Sequence, residues 1–173
     1  MAAATLSSFS HPFQRTVKYL QLQAQGVLCA IELKRVERIV SLMALNPVPS
    51  APDYLVGVFD YHGFIVPVID LSLRIGQTSA VTYDINSSVV LCETMSEDTL
   101  VGLIVTDVGD VIELKNSELQ LLSEFSDKQS PLYACYKQAS PICFLLDSDI
   151  LLDSSLSDVE AMLPKEIRQI IEK

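Results

Sequence analysis

The residue types that most often carry out chemistry are scattered along this chain and form no recognisable catalytic set. Its two histidines, His11 and His62, are 51 positions apart, and no nucleophile elbow, phosphate-binding glycine loop or metal-spaced cluster is present. Asp107 and Asp110 flank a predicted hairpin turn, where aspartate is expected for its local hydrogen bonds, and this favours a turn over acid–base catalysis. The sequence therefore predicts a protein that is not an enzyme and that needs no cofactor or metal.

The four cysteines support no metal or redox site. Cys29, Cys92, Cys135 and Cys143 each lie within an apolar stretch, and no two of them have Cys-x-x-Cys spacing. We therefore expect buried, reduced thiols that behave as small hydrophobic side chains, in preference to a zinc site. Cys135 and Cys143 could face each other across a hairpin, but a structural disulfide is not expected in a reducing compartment.

Composition predicts a folded domain in the cytoplasm. The chain is 49% hydrophobic and only 20% charged, which excludes a disordered protein, and its 173 residues fit one domain. No apolar run reaches the ~18 residues that a membrane-spanning helix needs. The first residues lack the basic leader and apolar core of a signal peptide. We expect a cytoplasmic protein with no direct membrane insertion.

The formal net charge of −10 is distributed unevenly. Residues 1–76 contain six Lys or Arg and five Asp or Glu, whereas residues 77–173 contain six and seventeen. An acidic second half disfavours nucleic acid as a partner, because phosphates require a basic surface. It would also be repelled by an anionic membrane. The acidic surface either maintains solubility or steers the chain towards a basic partner, and the sequence leaves both open.

Secondary structure is predicted to be almost entirely β. Short apolar or alternating stretches are separated by turn signals at a spacing typical of a sandwich or barrel. The predicted strands are 17–24, 27–33, 36–43, 55–59, 64–71, 87–93, 100–106, 108–114, 132–137 and 142–146.

The segment Ala51–Gly76, APDYLVGVFDYHGFIVPVIDLSLRIG, carries the most information. It is predicted to form a loop, a strand, a turn at Asp60–Gly63 and a second strand, Phe64–Leu71. That second strand is continuously apolar, so we expect both of its faces to be buried. Gly57 suits a bulge, and Pro67, which has no N–H to donate, indicates an edge strand or a bulge.

The end of the chain is predicted to be helical. Asp147–Leu152 follows the last strand as a short helix, and Ser157–Glu160 forms a capping box that would start another. Pro164 interrupts the apolar periodicity that continues to Lys173, which favours two short helices. We therefore divide the chain into a flexible leader at 1–15, a domain at 16–153 and a helical tail at 154–173.

The order Pro, Gly-Val, a turn closed by Gly, then Pro-Val-x-Asp-Leu resembles the signature of the CheW-like domain family. The opening strands are similar to the start of that family's domain, where a hairpin leads into a Val-x-x-Ile motif. Leu100–Leu114 is similar to the family's second, glycine-containing signature. The resemblance extends from about residue 17 to residue 152. The residues that carry it are Val36, Ile39, Pro52, Gly57, Gly63, Pro67, Asp70 and Gly102.

The resemblance implies two intertwined five-stranded SH3-like barrels, packed side by side over a shared hydrophobic core, with short C-terminal helices. One barrel would centre on residues 30–85. The other would combine the first strands with the region after residue 87.

The resemblance also implies a non-catalytic adaptor. Such a protein couples the cytoplasmic tip of a methyl-accepting chemoreceptor to the regulatory domain of a CheA-type histidine kinase, in a pathway that controls flagella, pili or a second messenger. Kinase binding would involve Tyr54, Leu55 and Gly57. The implied receptor-binding residues are Val36, Arg38, Ile39, Asp60, Tyr61 and His62.

Two positions depart from the family pattern. The family's turn usually reads Asn-x-Arg-Gly, but here His62 replaces the arginine, and Arg38 replaces a common glutamate. Histidine is mostly neutral at pH 7 and cannot form the two-pronged contacts of arginine. Either these departures select a non-standard receptor, or His62 is an ordinary turn residue. In the first case Arg38 and Asp60 could pair on the receptor-binding surface. The alternative function is a small-molecule-binding or enzymatic β-barrel with Tyr61, His62 and acidic turns lining a pocket.

Overall fold

The structure is a computed structural model that describes residues 15–78, 82–96, 99–122, 130–136 and 140–154, and of these it describes residues 153 and 154 by backbone alone. The predicted leader up to residue 14, the capping box and the tail helices beyond residue 154 lie outside these ranges. No helix in the described ranges is both long and apolar enough to cross a membrane. The described strands are β1 (Thr16–Ala24), β2 (Val27–Glu32), β3 (Val36–Ser41), β4 (Leu55–Tyr61), β5 (Phe64–Asp70), β6 (Ser88–Glu93), β7 (Leu100–Val105), β8 (Asp107–Lys115), β9 (Leu119–Leu121), β10 (Leu132–Tyr136) and β11 (Cys143–Leu146), and the helical elements are α1 (Leu71–Arg74), two 3-10 turns (Leu33–Arg35 and Asn116–Glu118) and a π-helical turn (Asp149–Ser154).

The strands form two sheets, which confirms the predicted all-β class. The first sheet has the order β8-β1-β2-β11-β10-β9, and the second has the order β3-β6-β7-β5-β4. Pairing is antiparallel except between β11 and β2 and between β5 and β7. The first sheet has six strands instead of the expected five, and β9 was not predicted. Beyond β3, Asn46 pairs with Val58 of β4, so the two edges of the second sheet are joined.

The expected division of the chain between the barrels is wrong for residues 88–105. We expected the region after residue 87 to join the first strands, but β6 and β7 lie in the middle of the second sheet. Both strands are apolar on both faces, with Val89–Cys92 and Val101–Val105 fully buried. Central positions of a sheet that is covered on both sides suit such strands.

Alternate side chains of these strands enter different cores. On β7, Val101, Leu103 and Val105 point into a core shared by the two sheets, while Ile104 points into the second barrel's own core. The shared core also receives Leu20 from β1, among others, and the first barrel has a separate core around Tyr19 and Leu145. On β5, Val68 enters the second barrel's core and Ile69 the shared core, so the predicted burial of both faces of Phe64–Leu71 is confirmed from Val66 onward, whereas Phe64 is exposed.

The predicted hairpin turn flanked by Asp107 and Asp110 is wrong, because both residues belong to β8. Gly109 and Asp110 lie at an irregularity of its pairing with β1, between Leu20 and Leu22. A Cβ at Gly109 would lie 3.1 Å from Cβ of Gln21. Glycine and aspartate therefore mark a bulge here, a role that local sequence does not separate from a turn.

Pro67 lies on an inner strand, next to a bulge. β5 is flanked by β7 and β4, and the β4–β5 register shifts between Leu55 and Gly57. Val58, opposite Pro67, bonds to Asn46 through both its N–H (2.9 Å) and its C=O (2.8 Å). Those groups point away from β5, so the Val58–Pro67 pair has no hydrogen bond that proline could remove.

The predicted short helix after the last strand is present as the π-helical turn. Asp147 Oδ1 accepts the N–H groups of Asp149 (3.0 Å) and Ile150 (3.1 Å), which starts the turn. Leu151 and Leu152 are fully buried in the shared core. The turn therefore anchors the end of the described chain between the two barrels.

Candidate protein-binding surfaces

The β4–β5 hairpin has a two-residue turn. Tyr61 pairs with Phe64, and His62 and Gly63 between them have φ angles of 53° and 89°, as a type I′ turn requires. The Gly63 N–H donates to Asp60 Oδ1 at 2.7 Å. The turn is therefore shorter than the predicted Asp60–Gly63, because Asp60 and Tyr61 continue the strand.

His62 lies exposed at the tip of this hairpin. Its left-handed backbone conformation is uncommon for residues other than glycine, although histidine adopts it more readily than most. The His62 ring lies 4.5 Å from the Tyr61 ring, with an angle of 70° between the ring planes. The side chain is therefore exposed and contacts the Tyr61 ring edge to face.

An open cleft of about 510 Å³ lies beside the hairpin tip. Two large apolar side chains on its wall are exposed, Phe64 by 58% and Met95 by 69%. Exposed apolar groups that share one cleft are typical of a surface that binds another protein. Neither residue was predicted as a site residue, and the only local signal is the position of Phe64 directly after the turn. The cleft is lined by Glu37, Phe64, Glu93, Thr94, Met95, Ser96, Thr99 and Leu100.

The predicted receptor-binding residues fall into two groups. Val36 is half-buried against the shared core, whereas Arg38 and Ile39 are exposed on β3. Asp60, Tyr61 and His62 belong to β4 and its turn, on the other edge strand of the second sheet. The cleft lies between the groups, because Glu37 of β3 and Phe64 next to the turn both line it.

The predicted pairing of Arg38 with Asp60 is not observed among the described residues. The carboxylate of Asp60 accepts the Gly63 N–H within its own turn. Arg38 lies opposite Leu91 of β6, whereas Asp60 lies opposite Ile65 of β5. The pairing fails because the two side chains lie on different edge strands and at different heights along the sheet.

Arg35 connects the two barrels at the edge of the cleft. Its guanidinium donates to the Glu93 carbonyl at 3.4 Å and to the Met95 sulfur at 3.0 Å, and it pairs with the Asp149 carboxylate. The Arg35 side chain is only 13% exposed. Sequence reasoning missed this residue because its partners are 58 to 114 positions away.

The predicted kinase-binding residues lie in or beneath the loop at residues 47–54 and hold it in place. Leu55 is 6% exposed and packs against Val48, Ala51 and Tyr54. The Arg74 guanidinium lies 5.3 Å from the centre of the Tyr54 ring. Because Leu55 is buried, the surface that a partner can reach here is the loop at residues 47–54.

The glycine of this region permits a close approach of two chain segments. Gly57 is buried and has a φ of 152°. A Cβ there would lie 2.8 Å from the Asn46 carbonyl oxygen and 3.0 Å from Cβ of Leu45. Gly57 therefore allows the loop after β3 to pair with β4 at Val58.

Two further motif residues are structural. Asp70 is 1% exposed and accepts the Leu73 N–H at 3.2 Å, which caps the unpredicted helix α1. Gly102 lies in β7, where a Cβ would be 2.8 Å from Val89 Cγ1 and 3.2 Å from Val68 Cγ2. Neither residue faces the cleft.

All four cysteines are buried free thiols. Burial raises the pKa of Cys29 and of Cys92 from 9.0 to about 12, and that of Cys143 to about 11. On β10 and β11, Cys135 lies opposite Phe144 and Cys143 lies opposite Tyr136, so these two thiols do not face each other directly. Across the described ranges, no group of three or more His, Cys, Asp or Glu side chains is arranged to hold a metal ion.

Comparison with known proteins agrees with this architecture. A family model described as the CheW-like domain matches residues 18–156. The chemotaxis protein CheW of Bacillus subtilis is 27% identical over 142 residues, covering 81% of this chain and 89% of that protein. The chemotaxis protein CheW of Klebsiella aerogenes is 30% identical over 96 residues, and the match spans 56% of each chain, about half the length of that relative.

The same architecture occurs in a solved structure. The crystal structure of the scaffolding protein TtCheW from Thermoanaerobacter tengcongensis superposes with a TM-score of 0.70 at 20% identity, covering 80% of this chain and 94% of that one. A likeness at this identity concerns the fold, while the family match extends over most of the sequence. This chain belongs to the CheW-like domain family.

Proposed function

We propose that this chain couples the cytoplasmic tip of a methyl-accepting chemoreceptor to the regulatory domain of a CheA-type histidine kinase. Family membership supports a chemotaxis adaptor role. The observation that supports binding to a protein partner is the cleft beside the hairpin tip, where Phe64 and Met95 are exposed. An adaptor works through contact surfaces of this kind and needs no reactive group.

The receptor would bind at this cleft and along its borders. Burying a side chain such as Phe64 contributes about 1.5–3 kcal/mol, enough for one residue to dominate a small interface. Glu37 and Glu93 on the cleft wall would favour a receptor segment that places basic residues beside apolar ones. Val36, Arg38, Ile39, Asp60, Tyr61 and His62 would form or support the border of this surface.

The kinase domain would bind at the loop of residues 47–54. Tyr54 would contribute directly, since part of it is accessible, whereas Leu55 and Gly57 would act by holding the loop against β4. We expect the purified chain to bind its cognate CheA-type domain with a dissociation constant of about 1 µM. If the chain binds none of the CheA-type domains encoded in the same genome, the adaptor proposal is contradicted.

The cleft is tested by replacing Phe64. Phe64→Ser should weaken binding to the receptor tip at least about tenfold, because an exposed anchor is lost, and should leave kinase-domain binding unchanged. Ile85→Ser is the matched control, since Ile85 is 83% exposed and lies before β6, at the other end of the second sheet. Equal receptor affinities for wild type and Phe64→Ser, measured by titration calorimetry, would exclude this surface.

The His62 departure is tested by His62→Arg. We expect kinase binding to stay unchanged and folding to be only slightly affected, because the side chain is exposed and the left-handed backbone costs arginine little more than histidine. Affinity for the native receptor should fall, or binding should extend to receptors that standard family members recognise. If neither affinity changes, His62 is an ordinary turn residue.

The alternative of an enzymatic or small-molecule-binding barrel is not favoured. His62 lies at the solvent-exposed tip of a hairpin and leans on Tyr61, so the two residues do not face each other across an enclosed pocket. Ligand pockets usually enclose most of the ligand's surface.

A further inference from the structure

The sulfur atoms of the described residues differ sharply in their access to solvent. The four thiols are buried, and burial raises the pKa of Cys29 and Cys92 to about 12. Peroxides react with the thiolate and not with the thiol, so raised pKa values and burial both protect these residues. Oxidants that reach this protein therefore meet its methionines first.

Methionine oxidation requires no ionisation and depends on access. Two methionines lie in the described ranges, Met95 with 69% exposure and Met43 with 41%. Met43 follows β3 and does not line the cleft, whereas Met95 forms part of its wall. The more exposed of these two methionines is thus also the one at the candidate receptor surface.

The surroundings of Met95 suit the oxidised product. Arg35 Nη2 donates to the Met95 sulfur at 3.0 Å and also pairs with Asp149. A sulfoxide oxygen is polar and is a much stronger acceptor than a thioether sulfur, so a guanidinium already in contact with the sulfur can bind it directly. The new bond would compete with the Arg35–Asp149 pair, which joins the two barrels.

We propose that Met95 is a reversible oxidation site that lowers the affinity of the cleft for its protein partner. The effect on the partner rests on the proposed function, whereas the oxidation itself does not. The Met95 sulfur attacks one oxygen of hydrogen peroxide, forming an S–O bond as the O–O bond breaks. The proton of the transferred oxygen passes to the leaving hydroxide, which becomes water. Sulfur loses two electrons and the peroxide gains them.

The oxidation changes the cleft in two ways. Exposed apolar surface beside Phe64 is replaced by a polar sulfoxide that a bound apolar partner would have to dehydrate. Arg35 is drawn towards the cleft and away from Asp149. Both changes oppose partner binding, and a methionine sulfoxide reductase supplied with thiol reductant would reverse them.

The site is tested by treating the full chain with limiting hydrogen peroxide and mapping the products by peptide mass spectrometry. We expect sulfoxide at Met95 to form before sulfoxide at Met43, with Cys29 and Cys92 unmodified. Earlier modification of Met43 or of either thiol would overturn the proposal. This measurement uses no partner, so its outcome is independent of whether the chain binds a receptor.

The effect is tested with the same oxidised samples and a receptor-tip peptide. Oxidation should weaken binding by roughly tenfold in wild type and in the control Met43→Leu, but not in Met95→Leu, and reductase treatment should restore it. Met95→Gln should weaken binding without peroxide, because its amide is similarly polar. Equal loss in wild type and Met95→Leu would overturn the regulatory role. If the unoxidised chain binds no receptor tip, the proposed function fails, while the mapped products still decide the oxidation site.

Discussion

Cys29 and Cys92 show how burial alone changes the chemistry of a single side chain. Both thiols are fully buried in the core shared by the two sheets. Burial disfavours the charged thiolate and therefore raises the pKa of each to about 12. At the residue scale, the cysteines are thus hydrophobic packing groups whose reactivity appears only on unfolding.

These raised pKa values predict a loss of stability at alkaline pH. Below about pH 9 the thiols are protonated in both the folded and the unfolded state, so their contribution to stability is fully present. Above pH 9 the unfolded chain loses these protons first, and the free energy of unfolding should fall by up to ~1.4 kcal/mol per pH unit for each thiol, until about pH 12.

Urea unfolding between about pH 8 and pH 10.5 measures this slope. The matched control is the double variant Cys29→Ala, Cys92→Ala, which removes both thiols and keeps every tyrosine. Its stability should depend less steeply on pH than that of wild type. The same slope in both proteins would show that the thiols do not control alkaline stability.

At the scale of elements, β7 has the most constrained position. It lies between β6 and β5, and its two faces enter two different cores. Gly102 makes this possible, because Val89 of β6 and Val68 of β5 occupy the space that a side chain would need. The missing side chain is therefore a packing requirement of the strand.

Gly102→Ala should destabilise the protein by about 1–3 kcal/mol, through overpacking of the second barrel's core. Val89→Ala should also be destabilising, because it leaves a cavity. The double variant should be more stable than the sum of the two single effects predicts, since the new methyl group fills the space that Val89 vacates. Additive effects in urea unfolding would show that the two positions do not compete for the same space.

At the scale of the whole molecule, the shared core makes the two barrels interdependent. Strands of both sheets contribute to it, and the turn at Asp149–Ser154 adds Leu151 and Leu152. Arg35 and Arg74 tie this turn to the second barrel through Asp149 and the Ile150 carbonyl. Neither barrel can bury the apolar side chains that it contributes to the shared core without the other.

The protein should therefore unfold in one cooperative transition. Leu103→Ala, in the shared core, should cost about 2–5 kcal/mol and should lower protection from hydrogen exchange equally in β2 and β7. Leu121→Ala is the control, because Leu121 is 68% exposed and should change stability by less than about 0.5 kcal/mol. Loss of protection confined to the strands of the second sheet would mean that the barrels unfold separately.

The local features of this fold could be predicted from the residues. Period-two patterns and continuous apolar runs predicted ten of the strands, and the Tyr61–Phe64 hairpin follows from the His-Gly turn. β9 was missed because it has only three residues, and α1 because its four residues continue an apolar strand. Gly109 was misassigned because bulges and turns use the same residue types.

Sequence by itself thus determined the class of the fold, ten of the eleven described strands and the family resemblance, because these depend on local periodicity and on the order of short motifs. Tertiary structure alone decided which sheet receives β6 and β7 and where the cleft lies. Glu37, Phe64 and Met95 line the cleft, and Arg35 forms an ion pair with Asp149 at its edge. These residues come from distant parts of the chain and meet only because two sheets pack over one shared core, and no local pattern encodes which edges that packing brings together.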